Sequence, residues 1–134
     1  MIIRNATKKD IADCLKITKF EKDKYWNKKD FSRSINHRDV IFLVAEEKDK
    51  VIGYILGFIA PTKKDDGMIS ETRVNVKYRK KGLGTKLVNA ICNEMFKKGV
   101  KEVYAEIDPP LLKFYRDSCK FKETHKWIEV SKKK

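Results

Sequence analysis

Apolar and polar positions along this chain switch between the period of a helix and the period of a strand, and the switches mark its elements. Met1–Ala6 reads as a short strand. Thr7 has the character of a helix N-cap, with Asp10 three residues on as a partial capping box. Ile11, Cys14, Leu15, Thr18 and Phe20 then form a helical stripe. Asn27 caps a second helix, in which Phe31 and Ile35 lie four residues apart. Ile41–Ala45 is a continuous apolar strand, Glu46–Lys50 a charged turn and Val51–Ala60 another strand, so these form a hairpin. Gly53 and Gly57 within it point to a bulge or a close approach to the backbone.

After the polar loop Pro61–Gly67, Met68–Val76 alternates as a strand. Met68, Ser70, Thr72 and Val74 face one way; Ile69, Glu71 and Arg73 face the other. Gly82–Lys98 is the clearest helix, with Leu83, Leu87, Ile91 and Met95 four apart, flanked by Val88, Cys92 and Phe96. Gly99 stops it. Lys101–Ile107 alternates as a strand, and Asp108-Pro109-Pro110 opens a helix through about Ser118. Phe121–Val130 closes the chain as a strand. The order β-α-α-β-β-β-α-β-α-β is an α/β mixture with a mostly antiparallel centre, and it excludes a plain βαβ dinucleotide fold and a barrel.

Composition narrows this. The 134 residues fit one domain over the whole chain, with 41% hydrophobic and 38% charged positions. The longest uncharged stretch, Val51–Ala60, is about half of a membrane span, and no signal peptide is visible, so no membrane partner and a cytoplasmic location are expected. Cys14, Cys92 and Cys119 lack the spacing of a disulfide framework or a zinc site, and no metal is expected. The net charge of +13 is spread along the chain, which reads as a lysine-rich solvated surface rather than a nucleic-acid footprint.

One segment carries chemistry. Arg79-Lys80-Lys81-Gly82-Leu83-Gly84-Thr85 lies between a strand and an amphipathic helix. A helix start offers unpaired N–H groups and partial positive charge, and two glycines let a phosphate approach them. The three cations add donors. The segment is neither a Walker A loop nor GxGxxG, since Leu87 holds the third glycine position. Alone, it reads equally as a diphosphate cradle or as a tight turn with ordinary lysines.

The sequence resembles the GNAT superfamily of N-acetyltransferases. Its signature R/Q-x-x-G-x-G/A stands here as Arg79–Gly84, with Val74 five residues earlier at the usual valine. Asp108–Tyr115 is similar to the second family segment, which ends in Phe114-Tyr115, and Phe121 is similar to the phenylalanine opening the last strand. With the element order, the resemblance spans nearly the whole chain. It implies acetyl-coenzyme A as cosubstrate and direct acetyl transfer to a primary amine, either small or on a protein. Backbone groups of Thr72, Arg73 and Val74 would pair with the pantetheine arm, and N–H groups of Lys80–Thr85 would hold the pyrophosphate. Tyr115 would protonate the leaving thiolate. Glu71 would bind or deprotonate the amine, with Glu106 a rival and an Arg73–Glu71 ion pair the alternative. Tyr25, Trp26, Phe31, Glu21 and Asp23 would border the acceptor side, and the resemblance is compatible with a homodimer.

Three departures stand out. Asp108 replaces the family's asparagine, able to cap but not to donate when ionised. Lys120-Phe121 replaces Gly-Phe with one extra residue after Tyr115, and Thr72-Arg73 replaces a usually apolar pair. His37 and His125 match no motif and read as surface or structural. Two other classes compete, a basic nucleic-acid-binding module and a catalytically silent coenzyme A binder.

Overall fold

The computed structural model describes residues 1–19 and 26–134. Phe20, Glu21, Asp23 and Tyr25, which entered the sequence expectations, lie outside the described residues. Five strands form one sheet in chain order: β1 (Ile2–Asn5), β2 (Val40–Glu47), β3 (Lys50–Ile59), β4 (Asp66–Val74) and β5 (Glu102–Ala105). The first three junctions are antiparallel and β4–β5 is parallel. The hairpin expected between β2 and β3 forms, turning through Lys48 and Asp49 at φ of 50° and 62°. Two consecutive left-handed residues match the twist of a tight hairpin.

Helices α1 (Ile11–Thr18) and α2 (Lys28–Ile35) cover one face. Asn27 accepts the Asp30 N–H at 3.0 Å, the cap expected from sequence. Asp10 is buried and takes the Thr7 N–H at 2.7 Å and both terminal nitrogens of Arg4 at 2.8 and 2.9 Å. Arg4 also reaches Glu46 at 3.1 Å, tying β1, the start of α1 and β2 together. The core on this side gathers Ile11, Cys14, Phe31, Phe42 and Tyr54.

Helix α3 (Leu83–Lys97) covers the other face, burying the Leu83, Leu87, Ile91 and Met95 stripe against Ile41, Leu43, Ile55 and Ile69. The stripe's flank is looser than expected, since Phe96 stays half exposed. Gly57 admits α3 closely: a Cβ there would lie 2.6 Å from Met95 Cε and 2.7 Å from the Met68 carbonyl oxygen. Gly57→Val is therefore expected to destabilise by about 3 kcal/mol, because the backbone oxygen cannot yield. Urea unfolding of the variant checks this.

Two expectations need correction. Phe121–Val130 forms no strand: Lys120 onward carries no regular structure and every residue from Lys122 is exposed. The alternation through β4 is also interrupted. Glu71 pairs with Leu56 while Ile69 pairs with Gly57, leaving Ser70 as the extra residue of a bulge. Directly opposed residues share a face, so Glu71 and Arg73 lie with Leu56 and Tyr54 on the α1–α2 face, whereas Ile69 lies in the α3 core.

Among the described residues no helix is long and apolar enough to cross a membrane, and no group of metal-ligating side chains is present. The three cysteines are unpaired and buried or half-buried; burial pushes the Cys92 thiol up to about 11.

Candidate active site

β4 pairs with β5 only from Asp66–Ile69 against Glu102–Ala105. Past the Ser70 bulge the two parallel strands part, and Thr72, Arg73 and Val74 continue without β5 alongside. This leaves a strand edge to which an extended arm can add by backbone hydrogen bonds.

The glycine loop follows directly. Asn75 accepts the Lys77 N–H at 3.0 Å and starts a 3-10 turn, Val76–Tyr78. Arg79 Nε donates to the Val74 carbonyl at 3.0 Å, bracing the loop against the strand it leaves. Lys80 takes a left-handed φ of 62° and Gly82, the N-cap of α3, a φ of 79°. The first helical bond runs from the Lys86 N–H to the Gly82 carbonyl, so the N–H groups of Leu83, Gly84 and Thr85 precede any helical acceptor. Nothing stands within 4 Å of a Cβ built on Gly82, so this mouth is open. Gly84 differs: a Cβ there would come 3.2 Å from Phe114 Cζ. Arg79, Lys80 and Lys81 are exposed around the mouth, and the Leu83 side chain is buried, leaving only its backbone for a ligand. The Thr85 hydroxyl lies against the Cys119 thiol. The donors, the open mouth and the surrounding cations fit a pyrophosphate.

Tyr115 sits at the far side of the split. The segment from Pro109 begins as a 3-10 turn and widens into a π-helical turn over Phe114–Ser118, closed by the Cys119 N–H on the Phe114 carbonyl at 3.1 Å. The wide turn absorbs the extra residue noted after Tyr115. Tyr115 is 6% exposed and packs edge-on against Phe114 and Phe121, with centroids 5.1 and 5.3 Å away. Burial raises its pKa above the ordinary 10.0. The buried Thr72 hydroxyl lies close enough to oppose that rise, yet meets no hydrogen-bond geometry. Asp108 is exposed at the mouth of the split and, against expectation, its side chain makes no cap; its backbone carbonyl accepts the Leu111 N–H instead.

On the opposite face, Glu71 and Arg73 form the ion pair that stood as the alternative to a base role for Glu71, with the carboxylate side chain only 9% exposed. Glu71 lies near Tyr54, whose pKa rises chiefly by burial and then by the Glu71 charge. The Tyr54 hydroxyl is near Thr18 but outside hydrogen-bond geometry. A cavity of about 430 Å³ opens on this face, bounded by Trp26, Ser34, His37, Asp39, Phe58 and Ser70. His37 is exposed and its Nδ1 accepts the Asp39 N–H at 3.1 Å. Glu106 is exposed just past β5 and His125 lies in the exposed C-terminal segment.

The structure thus collects Glu71, Thr72, Arg73 and Val74 on the split strand, Arg79–Thr85 directly after it and Tyr115 beside Thr72. Sequence reading missed Ser70, Ser34, His37 and Asp39 because they share no spacing; only the fold brings them to one rim.

The family model described as Acetyltransferase (GNAT) family matches residues 9–121. L-2,4-diaminobutyric acid acetyltransferase of Marinococcus halophilus is 33% identical over 67 residues, which cover 50% of this chain and 39% of that protein. The chain thus matches about two fifths of the length of this curated relative. Aminoglycoside 6'-N-acetyltransferase AAC(6')-IG from Acinetobacter haemolyticus superposes with a TM-score of 0.81 over 99% of both chains at 18% identity. AAC(6')-Iy in complex with a bisubstrate analog of coenzyme A and acetylneamine gives 0.82 over 98% of this chain and 97% of that one, at 15% identity. At these identities the two structures establish the shared fold.

Proposed function

The chain belongs to the GNAT family of acetyltransferases, and from that premise we propose that it moves the acetyl group of acetyl-coenzyme A directly onto the primary amine of a small molecule. One observation carries the reading: β4 parts from β5 at Ser70 and runs straight into the open N-terminus of α3. A strand edge for an extended arm and a helix start for a pyrophosphate lie end to end, as one pantetheine diphosphate requires.

Acetyl-coenzyme A supplies the activated thioester. Backbone groups of Thr72, Arg73 and Val74 align its arm, and N–H groups from Lys80 to Thr85 hold its pyrophosphate with help from Arg79, Lys80 and Lys81. A backbone N–H on β4 past Ile69 donates to the carbonyl oxygen as charge develops there. Tyr115, kept protonated by burial, gives its proton to the departing sulfur. Glu71 is on the other face, opposite Leu56, which lines the cavity; there its carboxylate, paired with Arg73, attracts the ammonium form of the acceptor, whose proton leaves through water. The amine then approaches from the α1–α2 side while the thiol leaves on the Tyr115 side.

A bounded cavity of about 430 Å³ suits a small acceptor. The named relatives, which take diaminobutyric acid and aminoglycosides, support a cationic amine. Glu71→Gln is expected to raise KM for the amine about tenfold, by removing a charged partner, and to leave the KM for acetyl-coenzyme A nearly unchanged. Thiol release measured against a panel of diamines, aminoglycosides and peptide N-termini tests both the class and the residue. Transfer to peptides alone would contradict the small-molecule reading.

A further inference from the structure

Thr72 carries a hydroxyl to which the fold gives no partner. The strand register sets Thr72 directly opposite Ile55, and opposed residues share a face, so its side chain points to the side of the sheet where Ile55 and Tyr115 pack in the α3 core. Its Oγ1 is buried and has no hydrogen-bond partner among the described residues. A buried polar atom left unpaired is uncommon and calls for an explanation. A valine would fill the same space with no desolvation cost. Tyr115 comes to this spot from the π-helical turn, its ring fixed by Phe114 and Phe121 with centroids 5.1 and 5.3 Å away. The threonine O–H rotates freely, so it can turn to the Tyr115 oxygen when charge appears there.

The chemistry asks for such a donor. An ordinary phenol, with a pKa of about 10, is a weaker acid than an ordinary thiol at about 8.5, so it protonates a leaving thiolate uphill. Burial weakens the Tyr115 phenol further. The ionisable groups around it act in the same direction: Cys119 on its own segment, Cys92 on α3 and Glu71 on β4. The Thr72 hydroxyl pulls the other way. A donor to the tyrosine oxygen stabilises phenolate more than phenol and so makes the acid stronger.

We propose that Thr72 is a positioning residue for acetyl transfer, its hydroxyl donating to the Tyr115 oxygen as that phenol gives its proton to the leaving sulfur. The assignment rests on the acid role proposed for Tyr115. The carbon–sulfur bond breaks with its electron pair left on sulfur, and the Tyr115 proton moves to that pair. The phenolate accepts the Thr72 O–H and then regains a proton from water.

Thr72→Val keeps the branched shape and the backbone groups of the strand and removes the donor. It is expected to fold as stably as the parent, because the lost hydroxyl had no partner; urea unfolding checks this. Its kcat is expected to fall about tenfold with KM for acetyl-coenzyme A little changed. The alkaline limb of kcat moves to higher pH at the same time, since the Tyr115 phenol has become a weaker acid. A packing defect would slow the reaction without moving that limb. Thr72→Ser restores both, and Thr72→Ser against Thr72→Ala repeats the comparison in a smaller side chain. In a Tyr115→Phe background Thr72→Val costs nothing further. Ultraviolet titration of phenolate in the free protein, parent minus Tyr115→Phe, reads the Tyr115 ionisation without any ligand, and Thr72→Val is expected to move it to higher pH. An unmoved titration, or the same loss of kcat with and without the Tyr115 hydroxyl, would overturn the assignment and leave Tyr115 as the acid. A Tyr115→Phe protein as fast as the parent would remove the acid role itself, and this assignment with it.

Discussion

Tyr115→Phe is expected to lower kcat about a hundredfold, with KM for acetyl-coenzyme A changed little. The substitution removes one oxygen and keeps the ring that packs between Phe114 and Phe121, so the fold around the π-helical turn persists. What goes is the proton for the leaving sulfur. The pH profile separates this role from packing. Burial raises the Tyr115 pKa above 10.0, and the group works in its protonated form. Its contribution is therefore complete through neutral pH and is lost only as pH climbs through the raised value. The alkaline fall of kcat should depend on the Tyr115 hydroxyl and vanish in the variant, while the acid limb, which reports loss of the neutral amine, stays. Stopped-flow thiol detection across pH reads both limbs.

Gly84→Val carries the second large effect, a loss of coenzyme A affinity of at least about tenfold. A Cβ at this position meets Phe114 Cζ at 3.2 Å and Cε1 at 3.3 Å, and the valine methyls extend further. Either the first turn of α3 or the aromatic ring must shift. One holds the pyrophosphate donors and the other adjoins Tyr115. Gly82→Ala gives the informative contrast. No atom obstructs it, but φ of 79° disfavours a side chain, so it should cost about 1 kcal/mol of stability through backbone strain with a smaller change in affinity. Calorimetric titration with coenzyme A, paired with urea unfolding, distinguishes the two.

Much of this site was legible in the sequence because it is local. The glycines, the cations and the amphipathic stripe of α3 are contiguous, and strand, loop and helix are forced by their own periodicity. The β2–β3 hairpin was legible for the same reason. Three features were not, and each depends on distant partners. The Ser70 bulge falls within an unbroken alternation, and only pairing with β3 at Leu56 and Gly57 shows that Ile69 and Glu71 face opposite ways. The segment Phe121–Val130 has the composition of a strand, but a strand requires a partner, and among the described residues it pairs with none. The Asp108 side chain has capping chemistry, yet the turn it begins is 3-10 and is closed through its backbone carbonyl. The cavity rim from Ser34 to Ser70 likewise exists only after β3 and β4 have paired beneath α2.

The most direct test of acetyl transfer is mass spectrometry of a small diamine incubated with the protein and acetyl-coenzyme A, with released thiol counted in the same mixture. Expected is a singly acetylated amine, one thiol released for each acetyl group transferred, and both formed about a hundredfold more slowly in Tyr115→Phe. Coenzyme A binding without acetylated product, across diamines, aminoglycosides and peptide amines alike, would contradict it.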